Sequence, residues 1–161
     1  MLTKKLTQNK PSLMNSLARG TAAGVAGTVV MTAFQKFVEM PLTGREDSYA
    51  PADFAEKILP VHPETEQGRK QLNWVTHFGL GIMWGSAYAL TTRTGLRGPK
   101  AVAVAFATVY TSDVLLNTAL GLAKPTTWDR QDWTIDLLDK LVVVAATGVL
   151  YDHVFAPTRS S

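Results

Sequence analysis

Residues 101 to 123 form a run of 23 in which Asp113 is the only charged side chain. As a helix, such a run crosses the roughly 30 Å hydrocarbon core of a bilayer. A carboxylate near its middle costs on the order of 3 kcal/mol on insertion scales, so it demands a partner. The chain therefore reads as an all-α, polytopic membrane protein, and the partner of Asp113 has to come from a neighbouring helix.

Three further apolar segments complete a four-helix reading, at about 17–38, 72–92 and 133–155, with a long loop at 40–70. The whole, 161 residues, suits one domain. Mean hydropathy is only +0.04, because a polar N-terminal tail and the charged loop dilute the four segments. The second and third segments meet the length criterion directly. The first is rich in glycine and alanine and ends in Gln35, Lys36 and Glu39; the fourth carries Asp136, Asp139 and Lys140 in its first turns. A soluble four-helix bundle needs a polar stripe on every helix. Neither GLGIMWGSAYALTT nor AVAVAFATVYTS has a charged face. The start, MLTKKLTQNK followed by an apolar run, mimics a signal peptide. The long basic tail and the absence of a convincing cleavage site favour a first membrane helix instead.

Cysteine is absent, which excludes disulfides, thiol nucleophiles and thiolate metal sites. The net charge of +3 is dispersed, with no basic stripe of the kind that binds nucleic acid. Lys4, Lys5, Lys10 and Arg19 precede the first segment, and Arg93, Arg97 and Lys100 crowd the turn between the second and third. The positive-inside rule places both groups, and a C-terminus bearing Arg159, on the cytoplasmic side of a bacterial inner membrane. Trp74, Trp128 and Trp133 then fall at the opposite membrane interface, where indole rings anchor helices; Trp84 is the exception, in mid-helix. Within the long loop, Ser48 and Pro51 open a short amphipathic helix bearing Phe54, Ile58 and Leu59 on one side, closed by Pro60 and Pro63. It lies on the membrane surface or over the bundle; a plain solvated turn is the alternative.

Gly20 and Gly24, and Gly81 and Gly85, each stand four residues apart, and Gly27 and Gly79 widen these small faces. Small residues let helix backbones approach closely in lipid. The pattern fits packing within the bundle, or docking against a second copy or another subunit.

Counting 1.5 Å of rise per residue puts Asp113 about 15 Å, and Lys140 roughly 10–14 Å, below the same membrane face. An Asp113–Lys140 ion pair follows, with Asp136 competing for Lys140 at i, i+4. His77, Asn117 and Asp136 form a second tier about 6–9 Å deep, approached by Gln35. Tyr110, Asp113 and Asn117 share one helix face, and Asp139 completes the cluster. Two readings compete. The cluster locks the bundle, or it binds or relays a proton, cation or small polar solute. A metal site from His77, Asp113 and Asp136 lacks motif spacing. His62, His77 and His153 sit at unmatched depths for haem. No P-loop, nucleophile elbow or HExxH motif occurs, so neither cofactor nor enzymatic activity is expected. A minor alternative is a membrane enzyme acting on a lipid-like substrate at His77 and Asp136.

The stretches GTAAGVAGTVVMTAFQKFVEMPLTGRE, THFGLGIMWGSAY and IDLLDKLVVVAATGVLYD resemble a group of small uncharacterised bacterial membrane proteins, similar to the YagU-like inner-membrane family. The resemblance implies a four-helix inner-membrane protein and brings no established activity or catalytic residues. In that group a histidine often stands at the position of Lys140, so the resemblance does not imply a shared Asp–Lys bridge. The expected role is an integral membrane accessory or assembly protein. Its partners would be membrane lipids, other membrane subunits or copies of itself.

Overall fold

The computed structural model describes residues 11 to 155. Lys4, Lys5, Lys10 and Arg159, on which part of the charge asymmetry rests, lie outside the described residues. Five helices account for most of the chain, and no strand occurs among the described residues. Helix α1, Leu13–Phe34, continues through a wide π turn, Gln35–Glu39, and a last turn, Met40–Thr43. Helix α2 is Ala50–Ile58, α3 Glu66–Arg93, α4 Gly98–Ala119 and α5 Arg130–Val149, the last extended by a second π turn, Leu150–Val154.

Local chemistry sets these limits. Ser12 accepts a hydrogen bond from the Asn15 amide at 3.2 Å, and Thr65 from the Gly68 amide at 3.1 Å, capping α1 and α3. Asp129 and Asp132 exchange bonds as a capping box at the start of α5. Gly44, at φ +71°, closes α1. Gly121, at φ +74°, follows the end of α4 at Leu120, so this helix stops four residues before the run of apolar residues does. Helices α1, α3 and α5 each start three to six residues earlier than the apolar segments do, because their caps lie in polar sequence.

Two helices are long and apolar enough to cross a membrane: Leu13–Thr43, with mean hydropathy 1.2, and Gly98–Ala119, with 1.3. The expectation that the second segment meets this test directly is corrected. Within α3, His, Trp, Tyr, Ser and Thr dilute the hydropathy of an uncharged run.

Helices α1, α3, α4 and α5 pack as a bundle, with α1 against α3 as the closest pair. A Cβ on Gly20 would lie 2.6 Å from the Gly85 carbonyl oxygen, and one on Gly24 would strike the Gly81 carbonyl. Such backbone approach is what small residues permit. Gly27 serves α5 instead, where a Cβ would come 2.9 Å from the Val143 oxygen. Gly79 faces open space and joins neither contact.

The bundle's end at the α3–α4 turn is densely packed. Tyr88 and Tyr151 are fully buried and meet edge to face, centroids 5.5 Å apart. The Tyr88 hydroxyl donates to Asp152 Oδ2 at 2.7 Å, and the Gly98 amide donates to the same oxygen at 3.2 Å. Arg19 lies over the Tyr151 ring at 4.4 Å and donates to the Tyr151 and Phe155 carbonyls. Arg93 donates to the Pro11 carbonyl at 2.8 Å and to Ser16.

Candidate functional site

The opposite end, under α2, is open. A cavity of about 770 Å³ lies between α1, α3, α4 and α5, roofed by α2 and its flanking residues. Its size is that of a small-molecule pocket, about 300–1,000 Å³. Helix α2 rests on α3 through buried Ala52 and Ala55. Asn73 accepts from the Ala52 amide at 3.0 Å and donates to the Ser48 carbonyl at 3.1 Å. Arg69 pairs with Glu56 at 3.1 Å and with Asp53. The helix therefore lies over the bundle, and its docking face is the alanine face. Ile58 and Leu59, expected on one side with Phe54, are half exposed, while Phe54 lines the cavity.

The cavity brings together every member of the sequence-derived polar cluster except Tyr110. Lys140 is its centre. Its ammonium lies 3.1 Å from Asp113 Oδ2 and also binds Asp136, one turn back on α5. The two candidate partners do not compete, because one ammonium has three donors and serves both. Asn117 turns its amide onto Asp113 Oδ1 at 3.0 Å. The Lys140 ammonium is 5.6 Å from the centre of the Tyr110 ring, and the Tyr110 hydroxyl faces Asp136 beyond ordinary hydrogen-bond geometry.

The remaining residues form a separate group across the cavity. Gln35 donates to Asp139 Oδ2 at 2.6 Å, while Asp139 Oδ1 is buried and accepts nothing. His77 Nε2 lies 3.0 Å from Thr32 Oγ1, whose own proton goes to the Thr28 carbonyl at 2.8 Å. Thr32 thus accepts from His77, which selects the tautomer with the proton on Nε2. Trp74 and Phe78 hold the imidazole from two sides, each with its ring centre 5.8 Å away.

His77, Asn117 and Asp136, the expected second tier, all line the cavity but do not bond to one another. Asn117 and Asp136 join the lysine group, and His77 joins Thr32 on α1. The reason is unequal helix ends. Asp113 lies about 9 Å from the end of α4, but Lys140 lies about 15 Å from the start of α5, which projects further.

Several lining residues lie outside the polar cluster read from the sequence. Glu39 stands in the π turn of α1, where helical counting loses register, and is 9% exposed. Arg45, Asp47 and Asp132 reach the rim from loop and cap positions, paired as Lys36–Asp47 and as Arg45–Asp132 at 3.4 Å. Trp84, 5% exposed, lies on the cavity floor. Trp128 joins the lining and packs edge to face on Trp133, centroids 4.8 Å apart. Among the described residues no group of three or more His, Asp or Glu is arranged to hold a metal ion. Comparison with protein families, curated proteins and solved structures yields no match.

Proposed function

We propose that the protein is a four-span integral membrane protein of the bacterial inner membrane. It acts without catalysis, as an accessory or assembly component with both termini cytoplasmic. The inverted polarity of the bundle supports the membrane reading. Phe37 and Leu42 on α1, Val75 on α3, Leu115 on α4 and Val149 on α5 are all largely exposed. The charged Asp113, Lys140 and Asp136 face inward. Such a surface suits lipid and is costly in water.

The observation carrying the assembly role is the uncovered face of α4. Only Ala101, Ala105 and Val109 of this helix are buried. Its outer side shows Ala103, Ala107 and Thr111 at four-residue steps beside Thr108 and Ser112. This small-residue face is of the kind that packs on another membrane helix. The glycine faces of α1 and α3 are consumed within the bundle and leave α4 as the docking side. Native mass spectrometry after gentle extraction tests this. The expected result is an oligomer or a co-purifying membrane protein, lost in Ala107→Phe with the thermal transition retained. A strictly monomeric wild-type chain without partner overturns it.

The cavity favours a second reading, proton- or cation-linked movement of a small solute. The packing around Tyr88 and Tyr151 opposes it, since it blocks the far end of the bundle. Proteoliposome flux that disappears in Asp113→Asn or His77→Ala, with folding intact, would support transport over assembly.

A further inference from the structure

We propose that the cavity under α2 is a binding site for a small organic polycation, an amine of the polyamine type. The claim concerns binding at this end of the bundle and is independent of whether α4 docks a partner.

Three observations converge on this class. The first is an uncompensated buried acid. Glu39 is more than nine-tenths buried and lines the cavity. Its side chain is held only by the Thr43 hydroxyl at 2.9 Å, and it has no cationic partner among the described residues. Asp139 lines the same cavity, and its Oδ1 is buried and unbonded. A buried charge without a counter-charge is expensive, and a bound ammonium group removes that cost.

The second is the balance of the whole lining. Eight carboxylates and four cationic side chains, Lys36, Arg45, Lys70 and Lys140, line the cavity, and Arg69 outside it takes up Asp53. Lys36, Arg45 and Lys140 are already committed to Asp47, Asp132 and the Asp113–Asp136 pair. The excess negative charge runs from Glu39 and Asp139 in the interior to Glu46 at the rim, so a ligand with several separated ammonium groups matches it better than one point charge.

The third is aromatic. Tyr49, Phe54, Trp74, Trp84 and Trp128 line the same space. Ring faces attract ammonium groups and cover alkyl chain, a pairing that bare metal ions do not need. The absence of any metal-holding arrangement of side chains among the described residues points the same way.

The test is isothermal titration of the full chain in nanodiscs with spermidine, against Mg²⁺ and glutamate. Saturable spermidine binding is expected, with neither competitor matching it. Glu39→Gln and Asp139→Asn, each checked by thermal unfolding, should weaken binding about tenfold. Glu64→Gln, exposed and outside the cavity, should leave it unchanged. A photoreactive spermidine analogue on the wild-type chain should label cavity residues, which covers the case of variants that fail to fold. Absence of saturable binding, equal binding of Mg²⁺, or labelling away from the cavity overturns the proposal.

Discussion

The two ends of this bundle solve the same problem in opposite ways. Near the α3–α4 turn, helices meet backbone to backbone over Gly20, Gly24, Gly81 and Gly85, and tyrosine rings fill what remains. Under α2, the same four helices stand apart around a charged space. The closed end ties its polar groups to backbone carbonyls and to one another, as in Arg19 on the Tyr151 and Phe155 carbonyls and Tyr88 on Asp152. The open end gathers acids and bases, pairs some, and leaves Asp139 Oδ1 without a bond. Close packing tolerates little change in volume, whereas an open polar space tolerates little change in charge.

Substitutions should separate the two rules. The largest effect is expected at the open end. Lys140→Met leaves Asp113 and Asp136 as buried carboxylates without a counter-charge, at a cost of about 3–5 kcal/mol. The triple variant Asp113→Asn, Asp136→Asn, Lys140→Met should recover most of that stability in thermal unfolding. No recovery would mean that volume, not charge, governs this end.

Next comes the closed end. Gly24→Ala places a methyl group against the Gly81 carbonyl, and the expected loss is about 1–3 kcal/mol. Gly79→Ala, on the same helix as Gly81 but facing open space, should cost nothing and should stabilise by up to about 1 kcal/mol through helix propensity. Equal effects at the two glycines would remove the argument from backbone approach. A smaller loss than at Gly24 is expected for Tyr88→Phe, which deletes one hydrogen bond to Asp152 and should cost about 1 kcal/mol by the same assay.

How much of this was legible before any coordinates depended on the kind of signal. Asp113 announced itself because a lone acid in an apolar run has no other explanation. The Asp113–Lys140 contact was reached by counting rise from helix ends that are in fact unequal. Helices α4 and α5 follow one another across a short connection and pack together, which is what brings the two residues into contact. The neighbour of His77, Thr32, looks in sequence like any other threonine of a membrane helix. Glu39 and the cavity itself were invisible, because a π turn shifts the register after Gln35 and because empty space leaves no mark on a sequence. Arg19 illustrates the reverse. It read as one more positive charge flanking a membrane helix, yet it is engaged with Tyr151 and the end of α5.

The shared acceptor at Asp152 Oδ2 bears on how the chain is assembled during synthesis. One oxygen near the end of α5 serves the Tyr88 hydroxyl of α3 and the first amide of α4. Helices α3 and α4 are made, and their connecting turn is shaped, before that oxygen exists. A nascent chain ending before α5 therefore exposes an unmatched tyrosine hydroxyl and an unmatched amide at the hairpin tip. The last helix is a latch that closes work begun by the middle two.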